Sequence, residues 1–129
     1  MKLWKLKSLT LPNSTRTIVA EWFAAQDDAV QAAFLGRMKF LIGLPGDGWD
    51  RPYVGQLRRE CKGLFEIVIE VGNVQYRPIG YFSGEMEFTF LAFATERDDR
   101  LVPASVCDTA KRNIEIIEQH KERAREITI

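Results

Sequence analysis

Two periodicities divide the 129 residues into elements. Over residues 2–11 (KLWKLKSLTL), Leu3, Lys5, Lys7 and Leu9 fall on one side and Trp4, Leu6 and Ser8 on the other, which predicts an opening strand. Pro12-Asn13 ends it. Ser14 or Thr15 is placed to cap a short helix whose stripe is Ile18, Val19, Trp22 and Phe23. Gln26-Asp27-Asp28 breaks that helix and begins another, with acids suited to its positive N-terminal end. Residues 29–44 then carry Val30, Phe34, Met38, Leu41 and Ile42 at helical spacing.

Residues 45–63 are rich in glycine and proline and read as a loop with room for a short strand. Three strands at hairpin spacing follow, over 64–71, 74–82 and 86–95, turning at Gly72-Asn73 and Ser83-Gly84. After the polar loop RDDR at 97–100, Pro103 opens a last helix with Val106, Ala110, Ile114 and Ile117 as its buried stripe. From about residue 118 that helix turns polar and is expected to project. The predicted order is β-α-α-β-β-β-α over one domain, residues 1–129. This is an α+β fold, a small antiparallel sheet with helices on one face.

Alternation sorts each strand into two faces. Phe65, Ile67, Ile69 and Val71 oppose Glu66, Val68 and Glu70. Val74, Tyr76, Pro78 and Phe82 oppose Gln75, Arg77, Ile79 and Tyr81. Met86, Phe88, Phe90, Ala92 and Ala94 oppose Glu87, Thr89, Leu91 and Phe93. One face is apolar; Arg77 belongs to the mixed, open one. A cross-strand pair with Glu66 or Glu87 explains it at about 0.2–1 kcal/mol, and an anion site is the alternative. Pro78 removes a ladder donor and predicts a bulge or an edge beside it.

Composition adds limits. A chain that is 46% hydrophobic builds one core, and no apolar run reaches the roughly 20 residues that cross a bilayer. The first residues lack the apolar block of a signal peptide. Cys61 and Cys107 stand apart without metal-ligand neighbours and read as free thiols of a reducing cytoplasm. Eighteen basic and 18 acidic residues cancel, yet two segments are basic: residues 1–16, and 51–62 with Arg51, Arg58, Arg59 and Lys62 against Glu60.

The strings RPYVGQLRRECKGLFEI, QYRPIGYF, FTFLAFATE and VPASVCDTAKRNIE, in this order, resemble the RelE/HigB-like toxins of type II toxin–antitoxin systems, especially the phage-derived HigB-like branch. The likeness spans roughly residues 50–118. It implies a RelE-like fold and a cytoplasmic, ribosome-dependent mRNA endoribonuclease that needs no cofactor or metal. Its implied partners are a cognate helix-turn-helix antitoxin, the ribosome and mRNA, with no membrane. Cleavage by the ribose 2′-hydroxyl requires donors for the phosphorane charge and groups that move protons. Arg77 falls on the family's strand arginine, a fitting bidentate phosphate ligand. Lys62 and Arg97 assist, and Glu66 or Glu96 handles protons. Arg58, Arg59, Trp49 (stacking on a base) and Tyr81 complete the expected RNA contacts.

The sequence also departs from that pattern. The family's second-strand arginine is Val68 here, and its Lys-Lys pair is Thr95-Glu96, with Arg97 one place later. Three positive charges are gone and one negative is added, which matters because phosphate affinity follows the cations presented. The alternative is a non-catalytic interaction module of the same fold, a degenerate toxin or a binder of a protein target such as gyrase. His120, the only histidine, lies in the charged tail and reads as a surface residue.

Overall fold

A computed structural model describes residues 2–129 as an α+β fold with three helices and a mixed sheet of eight strands. The strands run in the order β2 (Val54–Gln56), β3 (Phe65–Ile67), β5 (Val74–Gly84), β6 (Glu87–Arg97), β1 (Lys5–Leu9) and β8 (Ala124–Ile127). Two short strands extend it, β4 (Ile69–Val71) on β5 and β7 (Arg100–Val102) on β6. The sheet is not wholly antiparallel, because β1 lies parallel to β6, Leu6 opposite Phe88.

Helix α1 (Ile18–Ala24) is capped by Thr17, whose hydroxyl accepts from the Ala20 amide, and not by Ser14 or Thr15. Asp27 caps α2 (Asp28–Ile42) through the Val30 amide. The predicted strand over 64–71 is interrupted at Val68, whose amide turns away to the Tyr53 carbonyl at 2.8 Å. The hairpin at Gly72-Asn73 forms as expected. The β5–β6 turn lies at Glu85-Met86, two residues beyond Ser83-Gly84.

Helices cover both faces of the sheet, which corrects the expectation of one open face. Helices α1 and α2 pack on an aromatic layer in which Phe34 meets Phe90 and Trp22 stacks on Phe93 at 4.7 Å. Helix α3 (Val106–Gln119) covers the other face, setting Val106, Ala110 and Ile117 against Ile79, Leu91, Ala92 and Ala94. A bulge explains why strict alternation failed on β6. Ile79 pairs with Ala92 but Gly80 with Phe90, so Leu91 is an extra residue and the side-chain parity beyond it reverses. Phe93 joins the aromatic layer, while Ala92 and Ala94 turn towards α3. Asn113 of α3 donates to the Leu91 carbonyl at 2.8 Å, satisfying the bulged backbone. Gly80 is required there, since a Cβ would run into the Thr89 carbonyl and the Phe88 ring.

The C-terminal tail does not project. Helix α3 ends at Gln119, and β8 pairs antiparallel with β1, Ser8 opposite Arg125. Arg123 fixes the return, its Nε donating to the Thr10 hydroxyl at 2.8 Å and its Nη2 to the Thr10 carbonyl at 2.6 Å. In the charged tail Ala124 and Ile127 are half-buried on opposite faces of β8, Ala124 beside the α3 cluster and Ile127 beside the aromatic one, so no two-residue period marks the strand. Among the described residues no helix is long and apolar enough to cross a membrane.

Candidate functional site

Arg77 enters on the α3 face of β5, opposite Ala94. It is 6% exposed. Its Nε lies 3.6 Å from Glu66 of β3 and 3.6 Å from Glu96 of β6. Nη1 donates to the Tyr76 carbonyl at 3.0 Å and Nη2 to Gln75 Oε1 at 3.1 Å, while Nε itself has no hydrogen-bond partner. The cross-strand pairing with Glu66 is present; that with Glu87 is not, since Glu87 lies 3.4 Å from Lys7 near the far end of the strands. Glu96 reaches Arg77 only because of the bulge at Leu91. Unbroken alternation would have sent it to the aromatic face.

Glu66 is the most enclosed carboxylate of this group, at 4% exposed. Its nearest cations are Arg77 and, at 3.7 Å, Nη1 of the exposed Arg51. Arg51 reaches it across Gly55, where a Cβ would lie 2.7 Å from the guanidinium. Burial pushes the Glu66 carboxyl above the ordinary glutamate value, and nearby Glu96 pushes the same way; Arg77 and Arg51 oppose them without winning.

Glu66 and Glu96 open into a cleft of about 530 Å³. One wall is the 58–63 turn, contributing Arg59 and Glu60; the other is the β6–β7 turn with the start of β7, contributing Asp99 and Arg100, and the start of α3. Four carboxylates therefore face two arginines in the cleft, with Arg77 behind the carboxylates. Leu57, Leu101 and Val106 supply apolar surface between them. Cys61 and Cys107 line the same cleft and are joined as a disulfide, with Cα atoms 5.3 Å apart. This overturns the free-thiol expectation and, with it, the argument from reduced cysteines for a cytoplasmic setting. Residues 46 apart in sequence meet because the 58–63 turn folds against the first turn of α3.

The other expected residues scatter. Arg58 and Lys62 are exposed on the turn, outside the cleft lining. Arg97 is exposed at the end of β6 and lines a separate shallow pocket with Asp98. Tyr81 sits along β5 opposite Thr89, away from Arg77; burial, then Glu118 and Glu87, raise its hydroxyl pKa. Trp49 is no stacking platform for a base. It is 6% exposed, stacks on Trp4 at 4.2 Å and donates its indole N–H to the Leu41 carbonyl. Sequence reasoning missed Arg100 and Asp99, which looked like ordinary loop polarity in RDDR, and missed the cysteine pair. Among the described residues no group of three or more His, Cys, Asp or Glu side chains is placed to hold a metal ion.

Chemically, the cleft offers a proton-transfer carboxyl shifted towards neutrality and two rim guanidiniums able to meet phosphate oxygens. Arg77 is oriented inward and holds the carboxylates in place. Comparison with protein-family models, curated proteins and solved structures finds no match to this chain.

Proposed function

We propose that the chain is the toxin component of a type II toxin–antitoxin pair, a RelE/HigB-like, ribosome-dependent mRNA endoribonuclease acting in the cytoplasm from the cleft over Glu66. The ordered likeness of residues 50–118 supports the family, and a RelE-like topology is part of the proposal. The observation that carries the chemistry is Glu66 itself, a carboxyl raised by burial and opening into a cleft rimmed by Arg59 and Arg100. In this reading Glu66 takes the proton of a ribose 2′-hydroxyl. The freed oxygen bonds to the adjacent phosphorus, the P–O5′ bond breaks, and the leaving oxygen collects a proton from the Glu66–Glu96 pair. Arg59 and Arg100 meet the developing phosphorane charge. Arg77 becomes a positioning residue for both carboxylates, in place of the direct phosphate ligand expected from its position. Arg58 and Lys62 add to RNA affinity from the exposed turn, and Arg97 from the next loop. A cognate antitoxin would hold the protein inactive.

A second reading, a non-catalytic interaction module on this fold, is favoured by one observation: acids outnumber arginines in the cleft, and Arg77 is committed to two of them. Induced expression followed by mapping of new mRNA 5′ ends separates the two. The endoribonuclease gives translation arrest with new ends, and Glu66→Gln lowers cleavage by about 10²–10⁴-fold. Arrest without new ends selects the interaction module; no arrest rejects the toxin reading.

A further inference from the structure

We propose that the Cys61–Cys107 disulfide is a redox clasp on the cleft: oxidised, it holds the 58–63 turn against α3 and restricts access to Glu66; reduced, the turn is released and the carboxyl opens to solvent and substrate. This regulates the site proposed above and gains its biological meaning from that reading, although the clasp can be measured without it.

The turn has little else to hold it. Strands β2 and β3 pair from Val54–Ile67 to Gln56–Phe65, and the Leu57 amide donates to the Leu64 carbonyl, which closes the ladder. Residues 58–63 are an excursion beyond that closure. Their backbone hydrogen bonds are local: Cys61 to Arg58, Lys62 to Arg59, and Leu64 back to Cys61. Arg58, Arg59, Glu60, Lys62 and Gly63 are exposed, so Cys61 is the residue that anchors the turn in the α3 layer. The disulfide is thus the covalent link between the two walls of the cleft. A segment with few buried contacts and only local hydrogen bonds opens at low free energy once such a tie is cut.

The bond is also placed for exchange. Cys61 is partly exposed along the cleft and Cys107 is buried. An attacking thiolate of a dithiol reductant therefore reaches the Cys61 sulfur, forming a mixed disulfide, and Cys107 leaves as a thiolate. That thiolate lies in the first turn of the 14-residue α3, where the helix N-terminus stabilises negative charge. The second thiol of the reductant then displaces Cys61. Two electrons and two protons have passed to the protein, and the reductant has become a disulfide. Disulfides that form in reducing compartments are ordinarily transient, catalytic or sensing ones.

The test compares oxidised protein, protein reduced with a small dithiol, and the Cys61→Ser/Cys107→Ser variant. Amide exchange is followed along the chain, and the Glu66 carboxyl titration by carbon NMR. Release should speed exchange over residues 58–63 by roughly tenfold or more through local opening, while the β5–β6 ladder stays the most protected part of the chain. Hydration should move the Glu66 titration down towards the ordinary glutamate value. Unchanged exchange over residues 58–63 with an unchanged titration would overturn the clasp, and acceleration confined to the slowest amides of β5 and β6 would make the bond a structural staple. Opening without any RNA cleavage keeps the clasp and removes the endoribonuclease reading.

Discussion

The two faces of the sheet solve burial in different ways. Under α1 and α2 the layer is almost entirely aromatic and aliphatic, with rings of Phe34, Phe88 and Phe90 fully enclosed. Under α3 the packing uses small residues, Ala92, Ala94 and Ala110, and where the helix begins the sheet carries Glu66, Arg77 and Glu96 instead. The first face needs no explanation beyond the hydrophobic effect. The second does, because an enclosed ion pair is seldom better for stability than apolar residues of similar volume. The difference makes the α3 face the candidate for chemistry, while the other face serves stability.

Substitutions on each face should separate these roles. Phe34→Ala should cost about 3–5 kcal/mol in denaturant unfolding, through lost burial and a cavity among rings. Arg77→Ala should cost about 3 kcal/mol, for another reason: the enclosed Glu66 loses its buried cation, leaving only the exposed Arg51. The discriminating variant is Glu66→Leu/Arg77→Met, which should recover most of that loss while removing function. A double variant as unstable as Arg77→Ala would mean that the cluster is structural, and the contrast between faces would fail.

Reduction of Cys61–Cys107 comes next in size. Chain-entropy arguments give about 2–4 kcal/mol for loops of this order, read as a fall in the denaturation midpoint with dithiol present. A domain of this length has about 6–19 kcal/mol in total, so the reduced protein should stay folded. The effect should fall on the α3 face: Phe34→Ala and reduction should be additive, since they act on different layers.

How far these faces were legible in the sequence follows from the signals each one carries. The helical stripes of α1 and α2 and the alternation of β3, β4 and β5 are strong, and they place Phe65, Ile67, Tyr76 and Phe82 correctly. Arg77 was assigned to the proper face for the same reason. Three features were hidden. The bulge at Leu91 depends on a close approach at Gly80 that no periodicity shows, and without it Glu96 cannot be placed beside Arg77. The β8 pairing depends on Arg123 meeting Thr10, residues 113 apart. The disulfide depends on tertiary proximity, for which cysteine spacing alone gives no pairing. Trp49 was misjudged because its glycine-rich surroundings suggested exposure, whereas the loop folds its indole onto Trp4.

The smallest predicted effect probes the Glu66 environment most directly. Burial raises its pKa in the folded protein above the ordinary glutamate value of 4.5. Between 4.5 and the raised folded value, the native state binds more protons than the unfolded state, so this group makes stability fall as pH rises. Below 4.5 both states are protonated and the penalty is absent; above the folded value it is complete. The slope from one such group is at most about 1.4 kcal/mol per pH unit. It is isolated as the stability difference between wild type and Glu66→Gln across that window, with other carboxylates common to both. Wild type should lose ground to the variant as pH increases. A gain instead would mean that attraction to Arg77 and Arg51 outweighs burial. Glu66 would then be a permanently ionised strut like any ion-paired surface acid, and the two faces of the sheet would differ in composition but not in purpose.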